Sequence, residues 1–198
     1  MSRYTGPRVK RMRSLGLQLP GLSRKSIEKR GPRRASPRKS DFGKQLTEKQ
    51  KLRMNYGLTE RQLRDVVVEA RRSKTATGPK IVELLERRLD NAVFRAGLAP
   101  TIPAARQLIR HRHVRLNART VTIPSMRVRT GDVIALRESS RDHPAVLEAL
   151  QNPALARPDW LAVDERARSA AVKHLPVEGQ PPFPLELPLV VEYYATRL

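Results

Sequence analysis

The sequence of 198 residues contains no cysteine, which excludes disulfide bonds and any zinc or iron–sulfur site with cysteine ligands. This absence is compatible with a reducing compartment. Aromatic residues make up only 4% of the chain, too few for a sheet that recognises single strands by base stacking. No apolar run approaches the roughly 20 residues that span a bilayer, and no basic-then-apolar signal segment is evident. Membrane insertion and metal–thiolate chemistry are therefore not expected.

Acidic residues are also scarce, since 19 Asp and Glu stand against 40 Lys and Arg and leave a formal net charge of +21. Residues 1–40 hold 13 basic residues and one acid, Glu28, whereas residues 138–198 hold 6 basic and 9 acidic residues. Such an excess repels itself in a compact monomer, which favours a polyanionic partner over a plain solvated surface. We expect that partner to be nucleic acid, recognised through phosphates, the 2′-hydroxyl and RNA shape.

Helix-forming patterns with clear ends occupy the middle of the chain. We predict one helix over residues 44–56, ended by Gly57, and a second that begins with a Thr59–Gln62 capping box. Residues 81–96 have the best apolar periodicity, which predicts a helix closed by Gly97. Arg87, Asn91 and Arg95 follow at i, i+4 and i+8 beside that apolar stripe and form a polar edge. This edge is open to two interpretations, an RNA or interdomain contact and a plain solvated edge.

A compact α+β module is predicted to follow. Thr101 caps a short helix with Leu108 and Ile109 as its core pair, and β-prone pieces lie at residues 114–116, 120–123 and 133–136. Residues 144–150 are compatible with a helix, and residues 189–194 form an apolar closing segment that should dock on the body. The fold class is α+β. We expect a basic extended arm over residues 1–43, a helical domain over 44–87 packed by 187–198, and an α+β domain with a Pro-rich extension over 88–186.

No constellation of residues supports catalysis, a metal or a cofactor. His111 and His113 have no third ligand nearby and Arg112 repels a cation, so RNA contact or helix-end capping is favoured over metal binding. Asp90, surrounded by Arg87 and Arg88, is better interpreted as an ion-pair partner than as a catalytic acid. No Gly-rich phosphate loop is present. Trp160 is interpreted as a core or interface residue.

The strongest signal is a set of basic residues spaced to grip a phosphate backbone. Arg106 and Arg110 share one helix face, and Arg115 and Arg119 flank a strand turn, so that together they could straddle one RNA backbone. Taken alone, this pattern indicates only nucleic-acid binding.

Several blocks of sequence resemble the family of the fourth small-subunit ribosomal protein, called S-four here. They are residues 1–10 (MSRYTGPRVK), 48–53 (EKQKLR), 56–62 (YGLTERQ), 84–91 (LLERRLDN), 105–109 (ARQLI) with His111 and His113, 123–125 (IPS), 131–132 (GD) and 190–194 (VVEYY). The blocks match in order and spacing over nearly the whole chain. The family is a structural constituent of the small ribosomal subunit, not an enzyme.

The resemblance implies an S-four-type α+β RNA-binding domain and binding to the 5′ domain of small-subunit (16S) rRNA early in assembly. It implies further partners, namely ribosomal protein S-five, other small-subunit proteins and mRNA near its entry path, where decoding accuracy is affected. Together, the basic pattern and the resemblance predict the following RNA-binding residues: Arg3, Tyr4, Arg8, Lys10, Arg11, Arg13, Lys49, Lys51, Arg53, Tyr56, Arg87, Asn91, Arg95, Arg106, Gln107, Arg110, His111, His113, Arg115, Asn117 and Arg119.

The chain departs from the family pattern in three places. Asn117-Ala118 stands where many members have Asn-Gly, and because Ala tolerates positive φ poorly, we expect the turn to differ locally. The cysteine zinc site of some bacterial members is impossible here, and residues 31–39 replace a Pro-Pro-Gly-Gln-His-Gly loop. Together with residues 19–22 (LPGL), 55–58 (NYGL) and 111–113 (HRH), these features most resemble the plastid and cyanobacterial branch. This favours a plastid stroma, with a bacterial cytoplasm as the alternative.

Two other functions use the same small module. An RNA-modifying enzyme or synthetase would need a large catalytic domain in addition to this module. The acidic tail of about sixty residues (138–198) is too small to form such a domain. A free RNA chaperone would be found off the ribosome in a sucrose gradient. A ribosomal protein would sediment with the small subunit.

Replacing Arg106 or Arg110 by Ala should weaken rRNA binding and flatten its salt dependence, because each arginine contributes phosphate contacts that release counterions. Binding titrations over a range of salt concentrations measure both quantities. Affinity and salt slope that stay unchanged in the two variants would reject this role for the pair.

Overall fold

The computed structural model describes residues 4–27, 40–176 and 181–198. The predicted site residue Arg3 and the replaced loop at residues 31–39 lie outside these ranges. In chain order the elements are α1 (Arg8–Leu15), α2 (Asp41–Asn55), α3 (Glu60–Arg71), α4 (Thr77–Glu86), α5 (Leu89–Arg95), α6 (Ile102–Arg110), β1 (Val114–Leu116), β2 (Arg119–Thr120), β3 (Val133–Leu136), a 3-10 turn (Glu138–Ser140), α7 (Pro144–Gln151), β4 (Leu161–Asp164), β5 (Ser169–Val172) and α8 (Leu187–Ala195). This composition confirms the α+β class.

The chain forms two compact units, which divide between Ile81 and Val82 within α4. The helical unit contains the residues up to Ile81 and those from Pro181 onward, and the sheet unit contains the residues from Val82 to Gln180. This division lies before the domain border after residue 87 that we predicted from the sequence. The reason is that the first turns of α4 pack against α8. Gly78 contacts Leu187 so closely that a Cβ added to Gly78 would lie 3.3 Å from the Leu187 Cβ.

Helix α8 packs on α2 and α3 to complete the helical unit. The Tyr194 hydroxyl donates to Glu60 Oε1 at 2.7 Å, and Lys49 Nζ donates to Glu60 Oε2 at 2.8 Å. Burial acts to raise the pKa of Glu60, but these two hydrogen bonds and the positive charge of Lys49 leave that pKa lowered. The Thr59–Gln62 capping box forms as predicted at the start of α3. The closing segment is therefore an integral part of the helical core.

Within residues 4–27, the N-terminal segment differs from the extended conformation that we expected for residues 1–43. Residues Arg8–Leu15 form α1, which ends at Gly16 with φ 68°. Met12 and Leu19 are both fully buried, and Leu19 N lies 3.4 Å from Met12 Sδ. Burial of these apolar side chains orders a short helix within the helical unit.

The sheet unit contains a five-stranded antiparallel sheet in the order β2-β1-β3-β5-β4. Strand β2 is shorter than the predicted piece at 120–123, and β4 and β5 were not predicted at all. Their sequences LAVD and SAAV contain few of the β-branched and aromatic residues that mark strands. The β5 segment forms a strand because it pairs with β3, which is a tertiary effect.

The predicted helix over residues 81–96 is wrong in one respect, since the chain breaks between α4 and α5. Arg88 is extended, with φ −65° and ψ 136°. Backbone groups at the break bond a distant loop: Leu89 N donates to Met126 O at 2.7 Å, and Val128 N donates to Arg87 O at 2.8 Å. These bonds replace the helical ones, so Arg87, Asn91 and Arg95 do not share one continuous helix edge.

The expectation that the Asn117-Ala118 turn would differ locally is also wrong. Leu116 pairs with Arg119, so the hairpin has a two-residue loop, and Asn117 and Ala118 have φ of 50° and 65°. Positive φ at both positions is the backbone of the type I′ turn that Asn-Gly favours. The Asn117 side chain holds it, donating to Asp132 Oδ1 at 2.7 Å and accepting from Val133 N at 2.9 Å. Ala118 therefore keeps the family turn at a cost in strain.

Replacing Ala118 by Gly should stabilise the sheet unit by about 1 kcal/mol, because Gly adopts positive φ without the clash that Cβ makes there. Chemical denaturation followed by circular dichroism measures the change. The matched control is Ala135→Gly within extended β3, which should destabilise by about 0.5–1 kcal/mol. A loss of stability in both variants would show that Ala118 is not strained.

Candidate RNA-binding surface

Helix α6 carries the centre of the predicted site in the sheet unit. The Thr101 hydroxyl accepts from Ala104 N at 3.3 Å and starts the helix, as predicted. Ile102, Ala105, Leu108 and Ile109 are buried, and this apolar face packs on α5. Gln107 and Arg110 lie on the opposite, exposed side. The helix therefore presents polar side chains on a firmly anchored frame.

Arg106 is held by a buried carboxylate. Its Nε donates to Asp90 Oδ2 at 2.7 Å, and Arg88 donates to both Asp90 oxygens at 3.0 and 3.1 Å. Asp90 also accepts from Asn91 N at 2.9 Å, and its side chain is 1% exposed. The ion-pair interpretation of Asp90 is thereby confirmed, with Arg106 as an additional partner. Arg106 has 17% of its side chain exposed, so it lies at the edge of the surface. The buried Asp90 beneath it fixes its orientation.

The three members of the predicted polar edge, Arg87, Asn91 and Arg95, form ion pairs or hydrogen bonds within the sheet unit. Arg87 Nη1 lies 3.0 Å from Glu83 Oε1, and Arg95 Nε lies 3.4 Å from Glu86 Oε2 without a well-aligned hydrogen bond. Asn91 is 1% exposed, and its Nδ2 donates to Glu86 O at 3.1 Å. In the free protein these three residues stabilise the α4–α5 junction more than they form an accessible surface.

The β1–β2 hairpin contributes a second group of predicted residues. Asn117 and Arg119 are exposed and Arg115 is half-buried. Arg115 pairs across the strands with Thr120, while the neighbouring Val114 is fully buried. Because side chains alternate across a sheet, Arg115 lies on the face opposite the core. The hairpin thus extends the basic character of α6 onto the sheet.

A histidine cluster links α6 to the sheet. The His111 and His113 rings are 6.2 Å apart and the His113 and His143 rings 5.7 Å apart. His113 Nδ1 is 2.8 Å from Ser140 Oγ. Burial lowers the pKa of His113, and His143, His111 and Arg137 lower it further. His113 is therefore neutral near pH 7, and positive charge at this point comes from the arginines.

The predicted residues of the helical unit are divided between its surface and its interior. Lys10 and Arg11 are exposed, Tyr4, Arg8, Arg13, Lys51 and Arg53 are half-buried, and Lys49 and Tyr56 are buried at 4% and 1% exposure. Arg11 Nε donates to the Tyr4 hydroxyl at 3.2 Å. Lys51 is paired with Glu48. Lys49 and Tyr56 thus shape the core beneath the surface, while the residues on α1 are accessible.

Among the exposed arginines of the sheet unit that the sequence-based set omits, Arg112 and Arg137 lie next to the predicted residues of β1. Arg112 has φ 65° in the turn after α6, and Arg137 follows β3. Arg137 N donates to His113 O at 2.8 Å, which continues the β1–β3 pairing by one step. The alternation of residues along β3 was the signal that could have found Arg137, whereas Arg112 lies in a turn that no strand pattern marks.

Among the described residues there is no group of three or more His, Cys, Asp or Glu side chains arranged to hold a metal ion. The described helices include none with the length and apolarity to cross a membrane.

Comparison with known proteins matches two consecutive parts of the chain to two domain families. Residues 3–86 match the ribosomal protein S4/S9 N-terminal domain, and residues 87–134 match the S4 domain. Over the full length of both chains, the sequence is 57% identical to a protein of Methylobacillus flagellatus named small ribosomal subunit protein uS4. It is 54% identical to one of Nitrosomonas europaea named small ribosomal subunit protein uS4B. It is 45% identical to a uS4 protein of Synechococcus sp.. The chain belongs to the uS4 family.

Membership of the uS4 family confirms the resemblance drawn from the sequence blocks. The chain is accordingly a structural, non-enzymatic ribosomal protein with an S4 RNA-binding domain. That domain begins at Arg87, so α5, α6, β1, β2 and the start of β3 constitute it. The Asp90 network lies at its N-terminal border, where it orients Arg106.

Replacing Asp90 by Ala should destabilise the sheet unit by about 3–5 kcal/mol, because Arg88 and Arg106 would lose the buried partner of their charges. Urea unfolding measures the change. The control is Asp142→Ala, an exposed acid of the same unit, whose effect should stay within about 0.5 kcal/mol. Equal stability of the two variants would mean that the network contributes nothing to the fold.

Proposed function

We propose that this protein binds the 5′ domain of small-subunit rRNA early in assembly and holds separate RNA helices in place. The observation that carries the proposal is the cationic surface of the S4 domain, formed by α6 and the β1–β2 hairpin and supported from below by Asp90. Gln107, Arg110, His111, Asn117 and Arg119 are exposed there. A helix with a buried apolar face and an exposed basic face suits a phosphate backbone.

The distribution of acids strengthens this surface. Glu48, Glu86 and Asp90 are buried and paired with Lys or Arg inside the fold. These carboxylates are therefore not available to repel RNA, whereas basic residues such as Lys10, Arg11, Arg110 and Arg119 are exposed. Lys/Arg contacts to phosphates release counterions, which supplies affinity, while a rigid framework supplies shape selection.

The helical unit offers a second basic surface. Arg8, Lys10, Arg11 and Arg13 lie on α1, which has no acid, and Tyr4 lies beside it. We include these residues in the RNA contact, together with Arg53 and Lys51 at the surface of α2, and Arg3 from outside the described residues. Lys49, Tyr56, Arg87, Asn91, Arg95 and His113 serve the contact mainly by positioning their neighbours. Arg106, at the edge of the α6 surface, contributes a phosphate contact of its own.

Further partners follow from family membership. We propose contacts to ribosomal protein S-five and other small-subunit proteins, and a position near the mRNA entry path where they support decoding accuracy. For location we favour the bacterial cytoplasm over the plastid stroma. The relatives at 57% and 54% identity support this choice, since the cyanobacterial relatives reach 44–45%.

The purified protein should bind a transcript of the 5′ domain of 16S rRNA tightly, survive competition by excess tRNA and weaken linearly on a log–log salt plot, because many phosphates are contacted. Filter binding measures affinity and slope. A 3′-domain transcript of equal length is the control and should bind as weakly as tRNA. Binding lost equally to tRNA would contradict the assembly role and favour a general RNA chaperone, which a sucrose gradient would show away from the small subunit.

A further inference from the structure

A surface pocket of about 490 Å³ opens on the sheet unit and is lined by Arg112, Arg115, Thr120, Thr122 and Arg137. Small-ligand pockets have about this volume but mostly apolar walls, whereas the residues here are three arginines and two threonines. The lining therefore suits a small, highly charged ligand and not an apolar one.

The antiparallel register explains why these residues meet. Arg115 pairs with Thr120 on one side and with Ala135 on the other. The same register, continued by Val121 N to Val114 O and Arg137 N to His113 O, brings Thr122 and Arg137 to either side of His113. Paired residues lie on the same face of a sheet, so two adjacent rows, Thr120–Arg115–Ala135 and Thr122–His113–Arg137, face away from the core.

The two rows leave room in the middle. Ala135 has a short side chain beside Arg115, and the His113 ring is engaged with Ser140 Oγ at 2.8 Å. Arg112 joins the pocket from the turn before β1, where its φ of 65° places it in a conformation that non-glycine residues seldom adopt. The concavity is thus a product of the hairpin geometry and not of flexible side chains alone.

The positive charge of the pocket is not neutralised from within. Among the described residues, no carboxylate forms an ion pair with Arg112, Arg115 or Arg137, whereas the neighbouring Arg88 and Arg106 are both paired with Asp90. Three guanidinium groups gathered without an acid repel each other, and an anion removes that repulsion. Guanidinium groups bind phosphate oxygens bidentately, and threonine hydroxyls can donate additional hydrogen bonds.

We propose that this five-residue pocket is a phosphate-binding site. In the context of the proposed function, on which this assignment rests, the group bound is one phosphodiester of the rRNA backbone; free phosphate is the other source of the same chemistry. The site is distinct from the α6 face, since it lies on the polar side of the sheet and includes Arg112, Thr120, Thr122 and Arg137, which the sequence did not single out.

The first measurement is a titration of the full-length protein with inorganic phosphate at low ionic strength, followed through the Thr120 and Thr122 amide signals by NMR. The wild type should show saturable shifts, and Arg115→Gln and Arg137→Gln should bind about tenfold more weakly because each loses a charge-assisted hydrogen bond. The control is Arg166→Gln, which removes the same charge from the exposed β4–β5 turn and should bind as the wild type does.

The second measurement is salt-dependent binding to the 5′-domain transcript. Arg115→Gln and Arg137→Gln should each make the log–log slope shallower by about 0.7–0.9, the value of one lost phosphate contact, and Arg166→Gln should not. If Arg115→Gln fails to fold, the test uses Arg137→Gln and Thr122→Val instead, because Arg137 and Thr122 are exposed.

The outcomes separate the two proposals. Phosphate shifts that are the same in all variants would overturn the pocket, even where the wild type binds rRNA specifically. Weakened phosphate binding with an unchanged rRNA slope would support a site for free phosphate and overturn the backbone phosphodiester. Weakened phosphate binding in a protein that does not distinguish rRNA from tRNA would support the pocket and overturn the proposed function.

Discussion

The fold of the S4 domain depends on a carboxylate that water hardly reaches. Asp90 accepts hydrogen bonds from Arg88, Arg106 and the backbone of Asn91. Burying such a charge is costly unless its partners satisfy it almost completely, so the positions of all three are tightly constrained. The break between α4 and α5, the anchoring of the 124–128 loop and the orientation of α6 meet at this point.

This arrangement also explains how a chain with so few acids uses them. Asp90 and Glu86 are buried and hold arginines in the sheet unit, and the half-exposed Glu60 joins Lys49 to Tyr194 in the helical unit. The exposed basic side chains remain available to bind an anionic partner. In a family of small ribosomal subunit proteins, that is the charge pattern that phosphate recognition needs, since affinity arises from counterion release.

Backbone strain is concentrated where the basic side chains are aimed. Arg112, Asn117 and Ala118 have positive φ, and they lie in the turns on either side of β1. The Asn117 side chain donates to Asp132 Oδ1 and accepts from Val133 N, and these two hydrogen bonds hold one of the turns. Strain of this kind persists only where surrounding structure enforces it. Here it directs Arg112, Arg115 and Arg119 from a short, rigid hairpin.

The charge and its partner class, the helices with capping residues such as Thr59 and Thr101, and the ion-pair character of Asp90 could be predicted from the sequence, and the motifs indicated the family. These are local or compositional properties, which depend on neighbours in the chain. The break at Arg88, the strands β4 and β5, the burial of Tyr56 and Asn91, and the gathering of Arg112, Arg115 and Arg137 could not be predicted and are seen only in the folded chain. Each of these depends on groups far apart in the chain, because backbone bonds and buried charges are satisfied by whichever partner the fold brings near.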